Sequence, residues 1–165
     1  LDLSAKLGGV YVQSTINGIE ARERGYDEAI FLNLEGRIAE GPGENICIIK
    51  DGVLQANSKS ESILEGITRT SLLEIAPDLG LKTLVAPITK EDLFNADEAF
   101  FCGTAAEISP MTKVADMSEN QENPPLYTIG TGKPGILTLK LAEAYKEVTT
   151  GKNPKYEKWL AFVNE

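Results

Sequence analysis

The sequence predicts one α/β domain of the α+β-like kind, a mostly antiparallel sheet with flanking helices. Three observations carry this. Short β-rich runs follow one another between residues 29 and 56, separated by turn signals. Two longer segments, 10–24 and 136–148, carry apolar residues at helical spacing. At 165 residues the chain is long enough to bury roughly 70% of its unfolded surface in one core.

Taken in order, Val10 to Arg24 places Val10, Val12, Ile16, Ile19 and Ala21 among polar residues, an amphipathic helix stopped by Gly25. Ala29 to Leu34, Arg37 to Glu40, Asn45 to Lys50 and Val53 to Ala56 read as strands, with Glu35-Gly36 and Asp51-Gly52 as turns, hence an antiparallel meander. Asn57 to Ser62 is polar and turn-forming, a loop before a helix that begins at Gly66-Ile67-Thr68 and runs through Leu72, Leu73 and Ile75. Pro77 kinks or restarts that helix. Lys82 to Pro87 reads as a strand, and Thr89-Lys-Glu-Asp92 as a capping-box helix start. Ala99 to Cys102 returns to strand and Glu107 to Val114 continues the sheet. Asp116 to Gly135, rich in acids, prolines and glycines, reads as an extended surface loop. A helix over Ile136 to Val148 and a short one over Tyr156 to Phe162 close the chain.

Composition narrows the function. Apolar residues make up 42% and charged residues 25%, and no run approaches the ~18 apolar residues of a membrane span. A net charge of −9, with no block of Lys or Arg, argues against a nucleic-acid partner. Histidine is absent, which removes His triads, His metal ligation and imidazole acid-base chemistry. Any proton shuttle is then Lys, Glu, Asp, Tyr or Cys. Cys47 and Cys102 sit in apolar runs and read as reduced, buried thiols of a cytoplasmic protein, too few for a metal site. The chain opens at Leu1 without a charged-then-apolar leader, so no signal peptide is expected.

The densest cluster of special residues is Arg37-Ile-Ala-Glu40-Gly41-Pro42-Gly43-Glu44-Asn45, a loop between two apolar runs. The glycines let its backbone bend and approach a ligand, Pro42 fixes φ, and Glu40 is held at the bend. Read alone, that carboxylate is as well explained as a solvated turn charge, and Lys6 as one exposed lysine near a terminus. Glu40-Gly-Pro-Gly-Glu-Asn45 resembles the signature loop of the fold-type IV pyridoxal-phosphate enzymes, specifically the branched-chain amino acid aminotransferases. Lys6-Leu-Gly-Gly-Val-Tyr11, Gly25-Tyr-Asp-Glu-Ala29, Leu64-Glu-Gly-Ile-Thr-Arg69 and Gly103-Thr-Ala-Ala-Glu107 match the same family in the same order, so the resemblance spans nearly the whole chain.

The resemblance implies the family's C-terminal, cofactor-binding domain with a mixed, mostly antiparallel sheet, its N-terminal domain lying outside these residues. It implies pyridoxal 5'-phosphate as cofactor and amino transfer from L-leucine, L-isoleucine or L-valine to 2-oxoglutarate. Lys6 would bond covalently to the cofactor aldehyde and move the proton, and Tyr11 would hydrogen-bond the phenolic oxygen. Glu40 would keep the ring nitrogen protonated, while Glu44 and Asn45 shape the loop. The amides of Ile67 and Thr68 at a helix N-terminus, with Thr104, would hold the phosphate. The amides of Thr104 and Ala105 would receive the substrate carboxylate. A homo-oligomer, a dimer or higher, is implied as well, and so is inactivity of these residues alone, because the other half supplies a phosphate-binding arginine and much of the substrate pocket. Val10, Pro42 and Pro77 depart from the family pattern. A D-amino acid or primary amine substrate, or a catalytically silent cofactor-binding domain, stays open.

Overall fold

The computed structural model describes Lys6 and residues 8–118 and 122–163. A five-stranded mixed sheet forms its centre, in the order β3-β2-β1-β4-β5, from β1 (Asn45–Lys50), β2 (Val53–Ala56), β3 (Lys82–Val85), β4 (Glu98–Gly103) and β5 (Glu107–Met111). All neighbours are antiparallel except β2 and β3. Parallel neighbours need a crossover, and α2 (Ile67–Ile75) lies within it.

Both faces of this sheet are covered. Successive residues of a strand point to opposite sides. Cys47 and Ile49 join Leu54, Phe100, Leu72 of α2 and Leu141 of α4 (Ile136–Thr149) in one core. Ile46 and Ile48 join Ile38, Ile88, Met111 and Leu93 of α3 (Lys90–Phe94) in the other. Burial on both sides explains why β1 reads as a continuous apolar run rather than an alternating one.

Several expected details appear as read. Asp51 and Gly52 both take positive φ, 49° and 74°, the turn geometry that an Asp-Gly hairpin requires. Thr89 and Asp92 form a reciprocal capping box at α3. Past Ile75 the chain tightens into a 3-10 turn, Ala76–Leu79, that contains Pro77 and closes at Gly80 with φ 78°.

Five expectations need correction. The runs 29–34 and 37–40 are not strands. Phe31, Ala39 and Asn33 donate to Glu40, Phe31 and Arg37 across a hairpin, but Phe31 is opposed by two successive residues, Ala39 and Glu40, so the register slips and the pairing amounts to an isolated bridge, Leu32 to Ile38. The 116–135 stretch is more than a loop. Leu126–Thr128 (β7) pairs with β6 (Lys113–Ala115), which breaks away from β5 at Thr112, and Tyr127 stacks on Phe94 at 3.8 Å between ring centroids. The terminal helix is a 3-10 segment at Pro154–Trp159, capped by Asn153, and β3 ends at Val85 rather than Pro87. Helix α1 (Tyr11–Glu23), after a 3-10 turn at Gly8–Val10, does not bury the predicted stripe: Val12, Ile16 and Ile19 are exposed, and Gly18 is its buried residue.

Candidate active site

Glu40 and Asn45 face each other across a tight turn, bridged by their backbones and closed by Gly41 N donating to Glu44 O at 2.8 Å. Gly41 is buried, and a Cβ there would lie 2.8 Å from the Phe101 ring, so only glycine fits. Gly43 has no such neighbour. The Glu44 carboxylate accepts from Gly43 N at 3.0 Å, the loop-shaping role expected for it.

The Glu40 side chain is half-buried, and its Oε2 accepts from Leu64 N at 3.0 Å and from Asn45 Nδ2 at 3.3 Å. Its Oε1 accepts no hydrogen bond among the described residues. Burial pushes the carboxyl up to about 7; the Leu64 amide opposes this and the nearby Glu44 carboxylate adds to it. Glu40 therefore holds its proton to a higher pH than a solvated turn charge would.

The same contacts reach the N-terminus of α2. Asn45 Nδ2 donates to Leu64 O at 2.6 Å and its Oδ1 accepts from Gly66 N at 3.0 Å, fixing the residues that lead into Ile67 and Thr68. Gly66 is the N-cap and offers no side-chain cap, so the first-turn amides of the helix are open to an external anion. Ile67 is exposed, while Thr68 is buried with its hydroxyl 3.1 Å from the Tyr145 hydroxyl of α4. Thr104 and Ala105 form the exposed turn between β4 and β5. This turn lies against the Glu40 loop, since a Cβ on Gly103 would approach Gly43 O to 3.3 Å.

Lys6 and Tyr11 are placed together. The Lys6 ammonium lies 5.7 Å from the Tyr11 ring centroid, within cation–π range. No hydrogen bond among the described residues joins either of them to Glu40 or to α2. Their helix touches the loop through Gly18, whose Cβ position is 3.6 Å from Pro42.

Sequence reasoning missed one hub. Asn57 is buried just after β2, where its Nδ2 donates to Ile38 O and Ala39 O at 2.7 and 3.0 Å and its Oδ1 accepts from Ile88 N at 2.9 Å. Buried Arg69 donates to the Asn57 carbonyl, tying α2 to the segment ahead of Glu40. A lone polar residue at the head of a polar run gives no sign of such burial. The thiols of Cys47 and Cys102 are free, buried and 3.8 Å apart, and that contact and burial push Cys102 well above its ordinary range. Among the described residues no cluster could hold a metal ion, and no helix is long and apolar enough to cross a membrane.

A cleft of about 710 Å³ opens between α1, the 25–32 segment and β5–β6, and neither Glu40 nor Lys6 lines it. Its lining mixes Ile30, Phe31, Phe101 and Met111 with charged groups such as Glu28, Lys90 and Asp116.

The family model for amino-transferase class IV matches residues 2–114, which include Lys6, the Glu40 loop, the start of α2 and the Thr104 turn. The chain belongs to the class IV aminotransferases. Among the relatives of this class IV chain is a probable branched-chain-amino-acid aminotransferase of Aquifex aeolicus, 42% identical over 159 residues, 96% of this chain and 48% of the relative. The branched-chain-amino-acid aminotransferase of Escherichia coli K12 is 38% identical over 162 residues, 98% of this chain and 49% of the relative. A solved branched-chain amino acid aminotransferase from Thermobaculum terrenum, in its PLP-bound holo form, superposes with TM-score 0.83 at 33% identity, covering 98% of this chain and 50% of that one. The fold is theirs, and the chain spans about half the length of the curated relatives it matches.

Proposed function

We propose that these residues form the C-terminal, cofactor-binding domain of a branched-chain amino acid aminotransferase. Its reaction passes the amine of L-leucine, L-isoleucine or L-valine to 2-oxoglutarate. The observation that carries this is the junction at Asn45, where a half-buried Glu40 with a free Oε1 sits beside an uncapped helix N-terminus. A pyridine nitrogen and a phosphate are the two ends of one small molecule, and these groups suit them respectively.

The residues present fit pyridoxal 5'-phosphate. The amides of Ile67 and Thr68, with Thr104 across the turn, would hold its phosphate. Glu40 would share its proton with the ring nitrogen, a match that a carboxyl near 7 makes better than one near 4.5. Tyr11 would donate to the phenolic oxygen. Lys6 would carry the covalent link and move the proton taken from the substrate α-carbon, and the Thr104 and Ala105 amides would orient the substrate carboxylate. When bound, the cofactor supplies an electron-accepting ring conjugated to the carbon that loses the proton. The relatives' names support branched-chain substrates. Cationic partners for the two anions, and a second subunit, would come from outside these residues.

Parallel assays of the full-length protein with L-leucine, D-alanine and an aryl amine, each with 2-oxoglutarate, test the reading. Glutamate formation fastest with L-leucine supports it; preference for either other donor moves the protein elsewhere in class IV, and no transfer with any of them defeats the enzymatic reading.

A further inference from the structure

Asn45 touches both halves of the proposed cradle. It is 6% exposed, opens β1, and uses its whole carboxamide: Nδ2 donates to Leu64 O at 2.6 Å and Glu40 Oε2 at 3.3 Å, and Oδ1 accepts from Gly66 N at 3.0 Å. Leu64 N donates to the same Glu40 oxygen at 3.0 Å. Glu40 Oε2, the backbone N–H and C=O of Leu64 and the Asn45 amide thus form a closed ring of hydrogen bonds, in which turning the carboxylate breaks two bonds at once.

Gly66 supplies an independent observation. Its φ of −64° and ψ of 149° are open to any L residue. A Cβ there, however, would fall 2.5 Å from Asn45 Oδ1. Glycine is needed at 66 because the Asn45 amide sits against the backbone, not because the backbone is unusual. One side chain therefore sets both the direction of the Glu40 carboxylate and the path of the chain into α2.

We propose that Asn45 is a positioning residue that couples the carboxylate meant for the ring nitrogen to the helix amides meant for the phosphate. The proposal rests on the functional reading of Glu40 and α2 given above. A residue that merely shaped the loop would leave the α2 approach untouched, whereas Asn45 spends its shortest bond on Leu64 O, nineteen positions away. An aspartate at this position would keep the acceptor for Gly66 N, lose both donors, and set a second carboxylate beside Glu40.

The test uses the full-length protein with Asn45→Ala, Asn45→Asp, Gly66→Ala and the Ala/Ala double variant. In the cofactor-free protein, Asn45→Ala should speed hydrogen exchange at the Leu64 and Gly66 amides about tenfold or more, with the Leu54 amide of β2 unchanged. Pyridoxal 5'-phosphate affinity, read from its absorbance, should fall about tenfold, the loss of one bond of roughly 1.4 kcal/mol. Gly66→Ala should cost a similar factor alone and nothing further in the Asn45→Ala background. Asn45→Asp preserves the shape if Asn45→Ala fails to fold; in it the Glu40 carboxyl carbon should titrate at a higher pH than in the parent, a shift that general loosening does not produce. Unchanged exchange at Leu64 and Gly66, additive costs for the two Ala changes, or an unmoved Glu40 titration would each overturn the coupling. Glu40→Gln in parallel separates the two readings. If it leaves affinity and cofactor spectrum unchanged, the role of Glu40 fails on its own, while exchange and the Ala/Ala cycle still judge Asn45.

Discussion

The junction around Glu40 and the arm carrying Lys6 are held in opposite ways. Glu40 is half-buried, bonded to Leu64 and Asn45, and backed by Phe101 and the Asn57 hub. Lys6 is exposed and, among the described residues, makes one ring contact, ahead of a helix whose Val12, Ile16 and Ile19 lie open. The groups proposed to polarise and hold are thus tied into loops and a helix end packed on the sheet, whereas the proposed reactive amine has little fixing it among the described residues. Preorganised polar groups in a partly dry site lose little free energy to reorganisation, but an amine without packing gains no orientation.

The comparison is broken most directly with residues Leu1 to Glu165 alone. They should form glutamate from leucine and 2-oxoglutarate about a thousandfold or more below the ~10 per second typical of enzymes, since the proposed reading places charged partners worth about 1.5 to 3 kcal/mol each, and the orientation of Lys6, outside these residues. Turnover near the typical value, followed by glutamate release, would show that the Lys6 arm needs no further support.

In the full-length protein, Lys6→Ala should lower amino transfer by about a hundredfold or more while leaving the unfolding midpoint unchanged, because the side chain is exposed. Borohydride reduction with cofactor, followed by peptide mapping, should place the pyridoxyl group on Lys6. An adduct on another lysine would remove the assignment.

Asn57→Ala probes the held side. It strips hydrogen bonds from Ile38 O, Ala39 O and Ile88 N inside the core, and a buried group left unpaired costs about 1 to 3 kcal/mol. Urea unfolding should show a loss of about 3 kcal/mol in total. A loss below about 0.5 kcal/mol would mean that the segment before Glu40 is anchored by something other than this hub.

The contrast also explains what was legible in the sequence. Strands β1, β2 and β4 and helices α2 and α4 were readable because each carries a local pattern, an apolar run or a helical stripe, that its burial then uses. The Glu40 loop was readable as a motif, and Gly41 shows the physical demand behind one of its glycines. The 29–34 run misled because β-propensity describes a residue's fitness for a sheet, not the regularity of its pairing, which slips where Ala39 and Glu40 both oppose Phe31. Leu126–Thr128 was hidden because a short strand flanked by prolines looks like loop until its partner at Lys113–Ala115 is in place. Asn57 and the Asn45 ring escaped because their worth lies in backbone groups far away in sequence, and no spacing rule records those. For the Lys6 and Tyr11 pair the family motif was the only signal; its amphipathic helix was read correctly as a helix and wrongly as a buried one.

The raised carboxyl of Glu40 gives a pH signature for the cofactor-free protein. Its folded value of about 7 lies above the ordinary 4.5, so the folded state holds a proton that the unfolded chain has released between these two values. Stability then falls as pH rises from about 4.5 through 7, because ionisation of Glu40 is disfavoured in the fold. Glu40→Gln cannot ionise, so its unfolding midpoint should gain on the parent as pH goes from 5 to 8. A constant difference across that range would show that Glu40 is solvated like any surface carboxylate.

The smallest expected effect separates two glycines of one loop. Gly41→Ala drives a methyl group to 2.8 Å from the Phe101 ring and 3.0 Å from Glu44 Oε2, an overpacking that costs about 1 to 3 kcal/mol. Gly43, two residues on, is exposed, has open space where its Cβ would stand, and is not among the glycines with positive φ. An alanine there loses nothing in the folded state and restricts the unfolded chain, so Gly43→Ala should be neutral or stabilising by up to about 1 kcal/mol. Thermal unfolding of both variants measures the difference. Because Gly41 and Gly43 flank Pro42 in the same turn, equal losses would mean that the loop depends on glycine flexibility throughout. A loss confined to Gly41 would place its rigidity in the contact with Phe101, the same ring that packs against the core behind β4.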